Sequence, residues 1–213
     1  MIIFDFDGTI GDTLEVGLEI ANLLAGEFGF RRLEGEDVAK ARNMRTAQLL
    51  KFLQVPTRKL RKISMRGTAE LHQRMHEIQP LPGVPEVVRE LHARGYRLGI
   101  VTSNTAENVR IFLRQHDLEL FAFIRSSSKL LGKAREIRKA LKEAGAARHE
   151  VLFVGDETRD IEACQKVKIR IAAVEWGYNT PESLTLLKPE YQCSDPQSLL
   201  GLLPPLAQNE NNA

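Results

Sequence analysis

Cysteine is scarce in this chain of 213 residues. The two present, Cys164 and Cys193, lie far apart and outside any CxxC or Cys/His cluster, which argues against a disulfide framework or a zinc finger. No apolar run approaches the roughly 18 residues of a membrane span. No positively charged stretch leads into a short apolar one at the N-terminus, so neither a leader peptide nor a membrane anchor is expected. Charge of one sign is missing too: 30 Lys and Arg against 28 Asp and Glu give a net charge of +2, which names no partner. Internal repeats and low-complexity tracts are absent, and only the polar NENNA tail reads as frayed. These absences point to a soluble protein of a reducing cytoplasm; a monomer or a homodimer is expected, and the sequence does not choose between them. With 43% hydrophobic residues the chain can bury a sizeable core, as one domain with an insertion or two unequal domains.

What is present is alternation. Short apolar, partly β-branched runs at 2–6, 96–104, 150–157 and 169–176 read as buried strands, and 121–127 can add another. Helical periodicity fills 85–95, 105–118, 133–145 and 159–167, with Gly95 and Gly145 at natural helix ends. Strands alternating with helices predict an α/β fold with a Rossmann-like parallel sheet, whose ligands gather at the carboxyl ends of the strands. Residues 14–80 break this rhythm with helical patterns at 14–30, 38–53 and 57–78 and no β-run. LPGVP at 81–85 then restores it. We therefore expect an inserted α-helical cap at 14–80 on a core made of 1–13 and 81–213.

The segment FDFDGT sets the chemical question. Asp5 and Asp7, two apart at the end of an extended run, project to one side, and two like charges so placed repel unless a cation or proton offsets them. The second strand ends in Thr102, Ser103 and Asn104, and the third in Gly155 and Asp156 with Asp160 a turn later. A parallel sheet collects these ends on one edge. Several aspartates there suit a hard cation such as Mg²⁺, which typically retains waters and a substrate phosphate. Backbone N–H groups at a helix start suit phosphate oxygens.

In these residues the sequence resembles the phosphatases of the haloacid dehalogenase superfamily. The resemblance runs through DFDGT, IVTSN, the lysine of GKAREI and VGDETRD, in the family's order, and the helical insertion is similar to the cap of phosphoglycolate phosphatases. It implies that Asp5 is the nucleophile that becomes an aspartyl phosphate and that Asp7 is the general acid and base. It further implies a Mg²⁺ site formed by Asp5, Asp7 through its backbone carbonyl, and Asp156, with Asp160 behind it holding the lysine. Thr102 and Lys133 complete the catalytic set, with Lys129 a competitor for the lysine's role, and Gly8, Ser103 and Asn104 fall to phosphate binding. The sequence departs from the family where relatives commonly carry a glycine before the next strand: here Lys168 stands, in a turn that would strain a non-glycine residue.

Other features have plainer readings. His72, His76, His92, His116 and His149 show no metal-ligand spacing and read as surface or structural residues. Trp176, Gly177, Tyr178 and Asn179 follow the last strand, and the tryptophan serves either the substrate entrance or packing. From Arg31 to Arg66 basic residues far outnumber acidic ones, a solvated helical face or an attractor of anionic substrate with Arg42 and Arg45 as candidate contacts. The leading expectation is a Mg²⁺-dependent hydrolase of small phosphomonoesters such as phosphoglycolate, with nucleic acid an unlikely partner. The rivals are a phosphomutase acting on a sugar phosphate and a basic cap that binds nucleic acid or an acidic partner.

Overall fold

The computed structural model describes residues 1–127 and 132–206; the competing Lys129 and the NENNA tail lie outside them. β1 (Ile2–Phe4) is flanked by β2 (Leu98–Thr102) and β4 (Leu152–Gly155), with Ile3 opposite Gly99 on one side and Phe153 on the other. β3 (Phe121–Ser126) extends the sheet beyond β2, and β5 (Arg170–Val174) and β6 (Tyr191–Cys193) extend it beyond β4. The order is β3-β2-β1-β4-β5-β6 and every pairing is parallel, as expected. β6 is an addition that the sequence reading lacks.

The alternation of side chains explains why the inner strands are apolar throughout. Ile2 and Phe4 point to one face, where Val87, Val88 and Leu91 of α5 (Val84–Ala93) and Val109 and Phe112 of α6 (Ala106–Gln115) cover them. Ile3 points to the other, against Ile137 and Leu141 of α7 (Lys133–Ala144) and Ile161 and Cys164 of α8 (Thr158–Val167). The short helices α9 (Pro181–Thr185) and α10 (Ser198–Leu202) add Leu184 to the second of these faces and Leu199 to the first. The order in which strands are added across the sheet reverses between β1 and β4, and in parallel sheets the carboxyl ends at such a point are where ligands commonly bind.

Between β1 and α5 run α1 (Leu14–Phe28), α2 (Glu36–Arg42), α3 (Thr46–Phe52) and α4 (Leu60–Gln73), with α1 packed along α4. The periodic stretch at 38–53 is two helices rather than one. Asn43 ends α2, and Arg45 is extended (φ −69°, ψ 154°) with its N–H held by the Gln48 side chain at 3.0 Å. The chain leaves the sheet and returns to it side by side: Asp12 donates to the Gln79 carbonyl at 2.8 Å and Leu81 to that of Ile10 at 2.9 Å.

Lys168 does adopt the left-handed conformation, with φ 63°, at the end of α8, the position that Gly95 and Gly145 fill after α5 and α7. No described helix is long and apolar enough to cross a membrane.

Candidate active site

Asp5 continues β1: its N–H donates to the Val154 carbonyl of β4 at 2.8 Å, which places the residue at the carboxyl ends of the two strands. Its Oδ1 accepts from the Phe6 N–H at 2.8 Å and its Oδ2 accepts from Lys133 Nζ at 2.5 Å. Lys133 opens α7 and is buried, bridging Asp5 to Asp160, with which it forms a second ion pair. Burial works against the ammonium charge, but Asp160 and Asp5 outweigh it and hold Lys133 above its ordinary pKa. Lys133 is therefore a fixed cation at the strand ends.

Asp7 has a different environment. Its Oδ1 accepts from Asn104 Nδ2 at 3.0 Å, and Thr102 Oγ1 lies 3.5 Å from its Oδ2. Burial first, and the charge of Asp5 second, push its carboxyl up to about 6, while the Asn104 hydrogen bond pulls the other way. Thus one of the two carboxylates rests on a lysine and the other on neutral donors.

Asp156, at the end of β4, is completely buried. Thr9 Oγ1 donates to its Oδ1 at 2.6 Å and the Tyr178 N–H to its Oδ2 at 2.7 Å. Oxygens of Asp5, Asp156 and Asp160 lie within 4.8 Å of one another. Burial and the surrounding acidic groups hold the carboxyls of Asp156 and Asp160 above the usual range, so the cluster is short of positive charge. Buried, oxygen-only and clustered, these donors fit a hard divalent cation.

Gly8 brings the loop close enough to form this cluster. Its φ is 74°, and a Cβ there would fall 2.4 Å from Asp156 Oδ2. Its N–H is taken by the Gly11 carbonyl at 2.9 Å, so it shapes the turn rather than offering that donor to phosphate. Asn104 likewise spends its side chain on Asp7, and its N–H donates to Thr102 Oγ1 at 3.0 Å. Ser103 Oγ accepts from Arg159 Nη2 at 3.2 Å. Arg159 also pairs with Glu157, its Nε lying 2.9 Å from the carboxylate.

The two arginines expected to meet substrate are engaged elsewhere. Arg42 donates to the carbonyls of Gly177 at 2.9 Å and Tyr178 at 3.0 Å, while Asn179 Nδ2 returns a bond to the Arg42 carbonyl at 2.7 Å. Arg45 lies 3.5 Å from Glu162 of α8 and is largely exposed. The residue types that suit an anion also suit backbone carbonyls and carboxylates, and sequence cannot separate these uses. Trp176 donates to the Thr9 carbonyl at 3.2 Å, and Tyr178 OH shares a proton with Thr13 Oγ1 at 2.7 Å, so the 176–179 loop braces the DGT turn.

Sequence reasoning missed Thr9, Asn108 and Arg159. Thr9 and Arg159 stand inside DGT and GDETRD, where attention went to the aspartates. The four-residue spacing of Asn104 and Asn108 was the available signal for the third.

Residues 2–174 match the model of the haloacid dehalogenase-like hydrolases. The chain is 32% identical over 200 residues to a phosphoglycolate phosphatase of Synechococcus elongatus, covering 93% of this chain and 94% of that one. Over a shorter stretch of 124 residues it is 32% identical to the pyrophosphatase PpaX of Bacillus cereus, covering 56% of this chain and 57% of that one. The fold is similar to that of CbbY from Rhodobacter sphaeroides, solved in complex with phosphate, with a TM-score of 0.73, 21% identity and coverage of 94% and 95% of the two chains.

Proposed function

The chain belongs to the haloacid dehalogenase-like hydrolases and is a phosphatase, and from that premise we propose that it hydrolyses a small phosphomonoester of the phosphoglycolate kind through an aspartyl phosphate on Asp5. The observation that carries this reading is the unequal environment of two neighbouring carboxylates: Asp5 on Lys133, 2.5 Å away, and Asp7 on Asn104, with its carboxyl raised to about 6. A nucleophile must be ionised and a general acid must carry a proton: Lys133 offsets a negative charge on Asp5, and burial lets Asp7 keep a proton to higher pH than an ordinary carboxyl does.

Asp5 Oδ attacks phosphorus as the ester P–O bond breaks, and the Asp7 carboxyl gives its proton to the departing oxygen. The Asp7 carboxylate then takes a proton from a water attacking the same phosphorus. The bond to Asp5 breaks, inorganic phosphate leaves, and both side chains return to their starting states. Lys133, with Thr102 and Ser103 at the end of β2, faces the transferred group and offsets its charge. Asp5, Asp156 and the Asp7 carbonyl would hold Mg²⁺, with Asp160 keeping Lys133 in place. When bound, the ion lowers the repulsion between a carboxylate nucleophile and a phosphate.

Residues 14–80 act as a cap that limits substrate size and excludes water. The relative of S. elongatus supports the choice of phosphoglycolate. Two free, buried thiols, Cys164 and Cys193, agree with a cytoplasmic setting.

Phosphate release from phosphoglycolate, pyrophosphate and a set of sugar phosphates tests this directly. With Mg²⁺ the wild type should release phosphate, best from phosphoglycolate, and chelator or Asp5→Asn should abolish release. Turnover that survives either change would remove the mechanism. Isomerisation of a sugar phosphate without release would make the protein a mutase.

A further inference from the structure

A line of hydrogen bonds leads from Asp7 away from the strand ends and out to a histidine of the helical segment. Asn104 Nδ2 donates to Asp7 Oδ1 at 3.0 Å; Asn108 Nδ2 donates to Asn104 Oδ1 at 2.9 Å; Asn108 Oδ1 lies 2.6 Å from His72 Nδ1. Asn104 is 5% exposed and Asn108 is fully buried, so neither amide can exchange its partners for bulk water. His72 stands in the last turn of α4, whereas both asparagines flank the start of α6.

The direction of every bond in this line is fixed. Asn104 Oδ1 also accepts the Thr105 N–H at 2.8 Å, so its oxygen cannot be the atom facing Asp7. Asn108 must then present nitrogen to Asn104, and its oxygen is left facing His72. An oxygen there requires a donor, so His72 carries a proton on Nδ1, in its neutral or its charged form.

We propose that His72 is a positioning residue for the acid–base carboxyl of Asp7, acting through the amides of Asn108 and Asn104. The proposal rests on the reading of Asp7 as general acid. His72 satisfies the last acceptor of the line and so keeps the Asn108 nitrogen on Asn104 Oδ1, a second hold beside the Thr105 N–H on the amide that faces Asp7. Rotation of Asn104 would turn its oxygen toward Asp7 and withdraw the donor that orients the carboxyl.

The test compares kcat/KM, which reports events up to departure of the first product, on two probes with Mg²⁺ present. 2-Phosphoglycolate has an alkoxide leaving group that needs protonation, and p-nitrophenyl phosphate has one that leaves without it. His72→Ala should lower the ratio of the two values by about fivefold, the factor that one ordinary hydrogen bond is worth. His72→Asn, whose amide nitrogen lies as many bonds from Cα as Nδ1, should restore the ratio.

Equal losses on both probes, no loss, or failure of His72→Asn to restore the ratio would overturn the proposal, since fold damage or replacement by water affects both probes alike. Asp7→Asn separates the two levels of the reading. A ratio that collapses in Asp7→Asn but stays intact in His72→Ala overturns the positioning role alone. A ratio unmoved by Asp7→Asn removes the acid role, and the role of His72 with it.

Discussion

Asp5 and Asp7 differ by two positions, and their different behaviour follows from what each touches. Lys133 compensates Asp5, whereas burial and the nearby Asp5 charge raise Asp7 from 3.8 to about 6. A carboxyl whose folded pKa exceeds its unfolded one favours folding when protonated. That contribution is complete below the unfolded value and disappears as pH rises through the folded one. For Asp7 it spans about pH 4 to about pH 6 and leaves a cost of about 3 kcal/mol at neutral pH. Asp156 and Asp160, also raised by burial, act in the same direction. A divalent cation must displace these protons, so the rise in Tm that Mg²⁺ gives over chelator should grow between about pH 5 and about pH 8. Thermal unfolding at constant ionic strength reads it. An increment that is flat or shrinks with pH would contradict the cluster as the metal site.

At the scale of elements, what the sequence reveals depends on how many residues share a pattern. β1, β2, β4 and β5 are legible because strands buried on both faces must be apolar throughout, and α5 to α8 because one face meets the sheet. β6 is three residues at the sheet edge, Tyr191–Cys193, too short and too polar to show. The break between α2 and α3 depends on one residue's dihedral angles at Arg45, which no periodicity encodes. The end of α8 was legible as a turn demanding a left-handed residue, and Lys168 pays that strain with φ 63°. Lys168→Gly should therefore stabilise the protein by about 1 kcal/mol, as a higher denaturant midpoint at unchanged m. An unchanged or lower midpoint would mean that the lysine's side chain or the unfolded chain compensates.

At the scale of the whole molecule, the fold brings residues 5, 7, 102, 133, 156 and 160 to one edge of a sheet, although they span most of the chain. Their grouping was legible because the chemistry proposed for them restricts residue type. The supporting bonds were not: Arg42 grips Gly177 and Tyr178, and Asn108 joins Asn104 to His72, through distances that only the folded chain defines. In the proposed mechanism a phosphoenzyme forms on Asp5 and is then hydrolysed, with Asp7 serving both steps. Asp7→Asn should leave the first step slow but possible and block the second, so that the phosphoryl group accumulates. The decisive measurement is mass analysis of Asp7→Asn quenched with borohydride after exposure to p-nitrophenyl phosphate and Mg²⁺. The account predicts that reduction of an acyl phosphate leaves homoserine at position 5 and nowhere else. An unmodified Asp5 under turnover, or modification at another carboxylate, would contradict it.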